Sequence, residues 1–268
     1  MYKAKLYSVN NYEQTDAVKK FYDTYGDRLR NEFGLREISL IDIGAGCGSV
    51  LSELTLKNIG LNFSSVVGVD RSHEMIKFSN EKYGSDYVKF MYMDAEGDIP
   101  DSLNDKHFDM ATSFYVYQFM KDLRKAFKNV YDLLNPGGVF CCMFLGWHLI
   151  ADLMTQLDDK YSPYTNNWME EFYPLWLNQD ESENLTKKYL TEVGFEIIEF
   201  NGEENEFYDY QHLGNFKKAM KAVIPFLKKM PETLQDEYMD DIAKVLLSTK
   251  SEDPLYIPRK LYRFIAKK

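Results

Sequence analysis

ISLIDIGAGCG, Ile38 to Gly48, joins an apolar run to a turn that holds three glycines. Ile38 to Ile43 is almost uninterruptedly apolar, as a strand buried on both faces of a parallel sheet must be. Gly44 to Gly48 break that strand, and a helix is expected from about Ser49 to Lys57. Further along the chain the same alternation repeats. SSVVGVD, Ser64 to Asp70, is a second buried strand that ends in an acid, and a helix near Ser72 to Lys82 follows it. Tyr87 to Asp94 and His107 to Tyr115 read as the third and fourth strands. Lys121 to Leu134 is amphipathic, with Leu123, Phe127, Val130 and Leu134 on one stripe. Asn135, Pro136, Gly137 and Gly138 stop that helix and turn the chain into VFCCMFLG. On the other side of Ile38, a helix is expected from about Thr15 to Leu29, where Ala17, Phe21, Tyr25 and Leu29 share a face. Such β-α alternation implies an α/β fold with a mostly parallel sheet and right-handed crossovers.

Beyond Gly146 the pattern changes. Trp147 to Asp180 is aromatic and acidic and reads as an insertion over the edge of the sheet. A helix is expected from about Asn184 to Val193, ending at Gly194, and the strand FEIIEFNG with its continuation ENEFYDY comes next. Two further helical stripes follow, Phe216, Met220, Ile224 and Leu227, then Leu234, Tyr238, Ile242 and Val245, separated by Pro231. KLYRFIAKK closes the chain as an alternating strand expected to pair antiparallel at the sheet's edge. Residues 1–268 are therefore read as a single domain, with helical lid insertions at 146–182 and 213–250.

Composition excludes several classes of function. The 268 residues carry 42 acids against 32 Lys plus Arg, a formal charge of −10, which leaves no cationic footprint for DNA or RNA. MYKAKLYSVNNYEQ has no apolar signal core, and no run is long enough to span a bilayer, so a cytoplasmic location without membrane insertion is expected. Cys141 and Cys142 are adjacent on a strand and should face opposite ways, Cys47 sits in the glycine turn, and no disulfide is expected. His73, His107 and His212 are scattered without metal-ligand spacing, so no catalytic metal is expected.

The chemistry is written at the strand ends. Gly44, Gly46 and Gly48 allow backbone torsions and close ligand approach at the carboxyl edge of an open sheet, with Ala45 and Cys47 as small companions. Asp70, at the tip of the second strand, can accept from both hydroxyls of a ribose. A dinucleotide turn would read G-x-G-x-x-G and cradle a pyrophosphate. Here the spacing is G-x-G-x-G, with Asp42 two residues before the first glycine. That acid would repel pyrophosphate but could hold an ammonium group. Asp94-Ala95-Glu96, after the third strand, can accept an adenine amino hydrogen and donate a backbone N–H to the ring. The set fits S-adenosylmethionine better than NAD.

On these residues the sequence resembles the class I S-adenosylmethionine-dependent methyltransferases, through DIGAGCG, VVGVDRS with Arg71, MDAEGD and LLNPGGVF. The resemblance implies a Rossmann-like, seven-stranded, mostly parallel sheet with an antiparallel C-terminal strand. Several segments narrow it to similarity with the arthropod juvenile hormone acid O-methyltransferases: Asn10, Gln14, Asp16 and Ala17; SFYVYQFMKDLRKAFKNVYDLL at 113–134; FLGWHLIADL at 144–153; EVGF at 192–195; and KAVIPF at 221–226. That resemblance implies methyl transfer to the carboxylate of a small apolar acid, isoprenoid or fatty. Gln14 would steer the accepting oxygen, and Ser113, Phe114 and Tyr115 would lie at the reactive centre.

Other positions complete the expected site. Met75 could clamp the adenine face, Tyr7 and Tyr12 could close over the sulfonium, and the aromatic run that includes Trp147, Trp168 and Tyr173 could wall the acceptor pocket. Where the hormone enzymes carry histidine and tryptophan, this chain has Gln118 and Phe119, which keeps a second acceptor open. A phenol, with its pKa of about 10, would benefit from a base, for which His148 is the candidate. A third reading is a binder that keeps the cofactor turn without transferring a methyl group. The expected oligomeric state is monomer or weak homodimer.

Overall fold

The computed structural model describes residues 4–165, 168, 181–248 and 255–268. Seven strands form one sheet: β1 (Glu37–Ile43), β2 (Asn62–Asp70), β3 (Val88–Tyr92), β4 (Phe108–Phe114), β5 (Leu134–His148), β6 (Glu196–Asp209) and β7 (Tyr256–Lys267). They lie in the order β3-β2-β1-β4-β5-β7-β6. The first five pair parallel, and β7 runs antiparallel to both β5 and β6. This is the Rossmann-like architecture of class I methyltransferases. The order reverses beside β1, which puts the glycine turn at the switch point where open sheets bind ligands.

The helices are α1 (Ala4–Ser8), α2 (Tyr12–Phe33), α3 (Leu56–Asn58), α4 (His73–Tyr83), α5 (Asp101–Asn104) and α6 (Leu123–Leu133), then α7 (Leu149–Thr155), α8 (Asp158–Thr165), α9 (Ser182–Val193), α10 (Leu213–Val223) and α11 (Glu232–Ser248). Val50–Thr55, leading into α3, winds as a π-helix. One face of the sheet buries Ile41, Val67, Phe140 and Cys142 against Phe127 and Val130 of α6 and Leu190 of α9. The other buries Leu40, Val66, Met110 and Cys141 against Ala17, Phe21, Tyr25 and Leu29 of α2. Cys141 and Cys142 thus face opposite ways, and all three cysteines are free and buried. A third core joins α7, α8, α10 and α11 through Met154, Tyr161, Phe216, Tyr238 and Ile242.

Three boundaries differ from the sequence reading. β7 is an interior strand and β6 holds the edge. Its alternation of Arg and Lys with apolar residues mimics a half-solvated edge, but Arg263 is buried by pairing with Glu206 of β6. α2 starts at Tyr12 rather than Thr15, which carries Glu13 and Gln14 into its first turn. β5 continues past Gly146 to His148 because β7 pairs with it as far as Arg259.

Candidate active site

β1 delivers the chain into a turn whose glycines are sterically required at two positions. Gly44 and Gly48 adopt φ of 73° and 79°. A Cβ on Gly44 would lie 2.3 Å from the Val116 side chain, and one on Gly48 2.9 Å from the Phe90 ring. The amides of Gly44 and Ala45 both donate to Val69 O at 2.8 Å, tying the turn to the end of β2. There Asp70 accepts from the Gly46 N–H at 2.9 Å through Oδ2 and from the Ser72 N–H at 2.8 Å through Oδ1. Burial pushes the Asp70 carboxyl up, and these two amides pull it back. Each carboxylate oxygen keeps a second acceptor site toward the cavity that the residue lines.

Asp42 lies beneath the turn, 4% exposed, and its Oδ1 accepts from Thr112 Oγ1 at 2.6 Å. Burial pushes its carboxyl up to about 7, with the Thr112 hydrogen bond opposing and the Asp70 charge adding to the rise. Two acids under one turn, one already holding the Gly46 amide, suit a cation-bearing nucleoside and would repel a diphosphate.

Two cavities meet above this turn. The first, of about 170 Å³, is lined by Gly44, Asp70, Arg71 and Ala95, with Met93 and Phe119 among its apolar walls. The second, of about 130 Å³, is mainly apolar, with Leu145, Ile150, Met154 and Trp168 on its walls and Glu13, Gln14 and Gln118 as polar members. Tyr115 and Phe119 line both. A small recess around Asp42, Gly44, Ala45, Gly46 and Phe114 shares Tyr7 and Gln14 with the second cavity. Gln14, half-buried, makes no side-chain hydrogen bond among the described residues.

The remaining expected site residues are placed differently. Ser113 is fully buried and spends its hydroxyl on Ile43 O at 2.9 Å, inside the sheet. Met75 is likewise buried, packed with Ala4, Tyr7 and Cys47, and is a packing residue below the turn. Gly48 faces Phe90 and Ser79, so its contribution is close packing of turn against sheet. Asp94 accepts from the Glu96 N–H at 3.1 Å, and Glu96 in turn accepts from the Asp122 N–H; of the three, only Ala95 lines the first cavity. Tyr12 is 44% exposed and lines a separate surface recess with Asp16 and Tyr208. Tyr173 and the side chains of Trp147 and His148 lie outside the described residues.

One feature of the site has no local sequence signal. Arg259 of β7 is buried and donates to Glu13 Oε1 at 2.6 Å, to Tyr115 Oη at 3.0 Å and to Glu206 Oε1 at 2.9 Å. Tyr210 Oη donates to Glu13 Oε2 at 2.7 Å. Burial alone would raise the Glu206 carboxyl, but Arg259 and Arg263 hold it below its ordinary value. The two arginines balance the two glutamates, so the second cavity is bordered by a neutralised ion network. Tyr115 sits at φ 62°, rare for a bulky residue, with its N–H donating to Met143 O at 2.7 Å and its hydroxyl on Arg259. Tyr115→Phe is expected to lower stability by roughly 1.5–3 kcal/mol, the worth of one hydrogen bond to a charged group. Urea unfolding at neutral pH measures it.

Comparison with known proteins agrees with this architecture. Residues 41–142 match the family described as "Methyltransferase domain". The juvenile hormone acid O-methyltransferase of Bombyx mori is 29% identical over 250 residues, covering 92% of this chain and 86% of the relative. That of Drosophila melanogaster is 28% identical over 254 residues, covering 92% and 84%. Among solved structures, mycolic acid cyclopropane synthase CmaA1 complexed with SAH and CTAB superposes with a TM-score of 0.55 at 15% identity, over 93% of this chain and 85% of the other, a likeness of fold. The chain has the class I methyltransferase fold and carries, at residues 41–142, a methyltransferase domain that uses S-adenosyl-L-methionine. Within that class it is similar along nearly its whole length to the juvenile hormone acid O-methyltransferases.

Proposed function

We propose that this methyltransferase esterifies the carboxylate of a small apolar acid, isoprenoid or fatty. The observation that carries the reading is the junction itself: an apolar cavity that shares Tyr115 and Phe119 with the cofactor cavity, with the amide of Gln14, unpaired among the described residues, on its wall. When bound, S-adenosylmethionine supplies a methyl group on a cationic sulfur. Asp70 would hold the ribose hydroxyls, Asp42 the ammonium group, and Ala95 would border the adenine. Gln14 would donate to one oxygen of the acceptor and leave the other free to act as the nucleophile. Holding the nucleophile at attack distance accounts for much of the acceleration. A carboxylate is ionised at neutral pH and needs no base.

Charge supports the same choice. Glu13 would repel an anionic acceptor if it stood alone, but Arg259 and Tyr210 occupy both of its oxygens. The same occupancy makes it a poor base for a phenol. α7, α8, α10 and α11 would act as a lid over the acceptor, and the names of the two insect relatives point to the same substrate class. A panel of fatty, isoprenoid and phenolic acceptors tests the proposal: methyl esters are the expected products, and methyl ethers alone would reject it. Absence of S-adenosylhomocysteine formation with every acceptor would favour a non-catalytic binder. Gln14→Ala should leave cofactor affinity within twofold and lower kcat about tenfold, the loss of one hydrogen bond to a charged group. An unchanged rate would return Gln14 to a surface role.

A further inference from the structure

Gln118, on the wall of the apolar cavity, carries a buried hydrogen-bond acceptor that nothing among the described residues answers. It is 5% exposed and lines that cavity. Its Nε2 donates to Tyr115 O at 2.9 Å, while its Oε1 has no partner. Reversing the amide would set two oxygens against each other, so the hydrogen-bond pattern assigns the oxygen as the free atom. The carbonyl that fixes this orientation is itself held, because Tyr115 is anchored through its N–H to Met143 and through its hydroxyl to Arg259. Among the buried side-chain polar atoms left without a partner in the described residues, Ser52 Oγ, Tyr117 Oη and Arg259 Nε belong to residues that line neither cavity. Buried acceptors are rarely left unanswered, and each exception calls for an explanation.

We propose that Gln118 selects acceptor acids that carry a hydrogen-bond donor, a hydroxyl or an N–H, on their apolar body. The inference deepens the carboxylate reading and rests on it for the place of methyl transfer. A donor on the acceptor meets Oε1 in a cavity whose walls at Leu145, Ile150, Met154 and Trp168 offer it no side-chain acceptor. A deoxy analogue leaves that oxygen desolvated and unpaired, and sites built around a substrate hydroxyl reject analogues lacking it far more strongly than apolar pockets reject a change of one methylene. An O-methyl analogue keeps the ligand oxygen but loses its donor, and it places two acceptors face to face.

Ring-sized probes suit a cavity of about 130 Å³, since an apolar cavity of about 150 Å³ holds benzene. The experiment measures calorimetric binding to the protein saturated with S-adenosylhomocysteine, and separately kcat/KM with S-adenosylmethionine. The ligands are benzoate and phenylacetate with their monohydroxy, monoamino and monomethoxy isomers. The best donor-bearing isomer is expected to bind at least tenfold more tightly than both its parent and its methoxy partner. Gln118→Met, which keeps the volume and removes the acceptor, should bring that ratio to within twofold. Equal binding by the wild-type protein overturns the inference without any variant, and so does a preference unchanged in Gln118→Met. Product identity is an independent readout: ether formation with the preference retained would reject the carboxylate reading while leaving the selectivity of Gln118 standing.

Discussion

Asp70→Ala is expected to weaken S-adenosylmethionine binding by roughly two to four orders of magnitude, from two charge-assisted hydrogen bonds worth about 1.5–3 kcal/mol each. The carboxylate has two duties in the fold. It receives the Gly46 and Ser72 amides, and it faces the first cavity with its remaining lone pairs. Alanine therefore removes the ribose acceptor and also releases the amide that holds the middle of the glycine turn. Asp70→Asn separates these duties, because its oxygen can keep one amide and one hydroxyl while its NH2 opposes the other amide and can only donate to the second hydroxyl. Its affinity should fall between those of the wild type and Asp70→Ala. Isothermal titration with cofactor, beside a thermal melt that checks folding, gives both numbers. A change below tenfold in Asp70→Ala would place the ribose elsewhere.

What could be read from the sequence is what depends on neighbours along the chain. The near-continuous apolar runs of β1 and β2, the three- and four-residue spacing in α2 and α6, and the glycine turn followed by Asp70 are local patterns, and the structure puts them where the patterns say. Gln14, Gln118 and Phe119 were legible through resemblance, and all three reach the apolar cavity. Ser113 and Met75 could not be placed from sequence, because facing the ligand or the sheet differs by one step in a strand or about 100° on a helix. The arginine network was illegible for a different reason. Arg259 and Glu13 are 246 residues apart. Only the antiparallel insertion of β7 between β5 and β6 brings them together, and an alternating strand with two arginines looks the same whether those arginines are solvated or paired. That same ambiguity placed β7 at the edge.

Asp42→Asn is expected to stabilise the cofactor-free protein above pH 7 while sharply lowering its affinity for S-adenosylmethionine. The native carboxyl titrates at about 7, against an ordinary value of 3.8, because burial disfavours its charge. Between those two values the folded protein holds a proton that the unfolded chain has lost, so stability falls as pH rises through this window. The penalty is fully present above the upper value, and a shift of this size corresponds to a cost on the order of 4 kcal/mol. Asparagine keeps an acceptor for Thr112 and carries no charge, so the variant should melt higher than wild type at pH 8 and similarly at pH 4. An ammonium group beside Asp42 reverses the balance, since a nearby cation favours the carboxylate. Cofactor binding then expels a proton near neutrality, and wild-type affinity should climb up to tenfold per unit as pH rises toward 7. It should fall again once the ligand's own amine deprotonates, near the α-amino range of about 7.7–8.0. Titrations in buffers of different ionisation enthalpy count the released proton directly. An affinity flat from pH 5.5 to 7.5, or identical pH profiles for wild type and Asp42→Asn, would remove the ammonium from Asp42 and leave that acid as an unexplained cost of the turn.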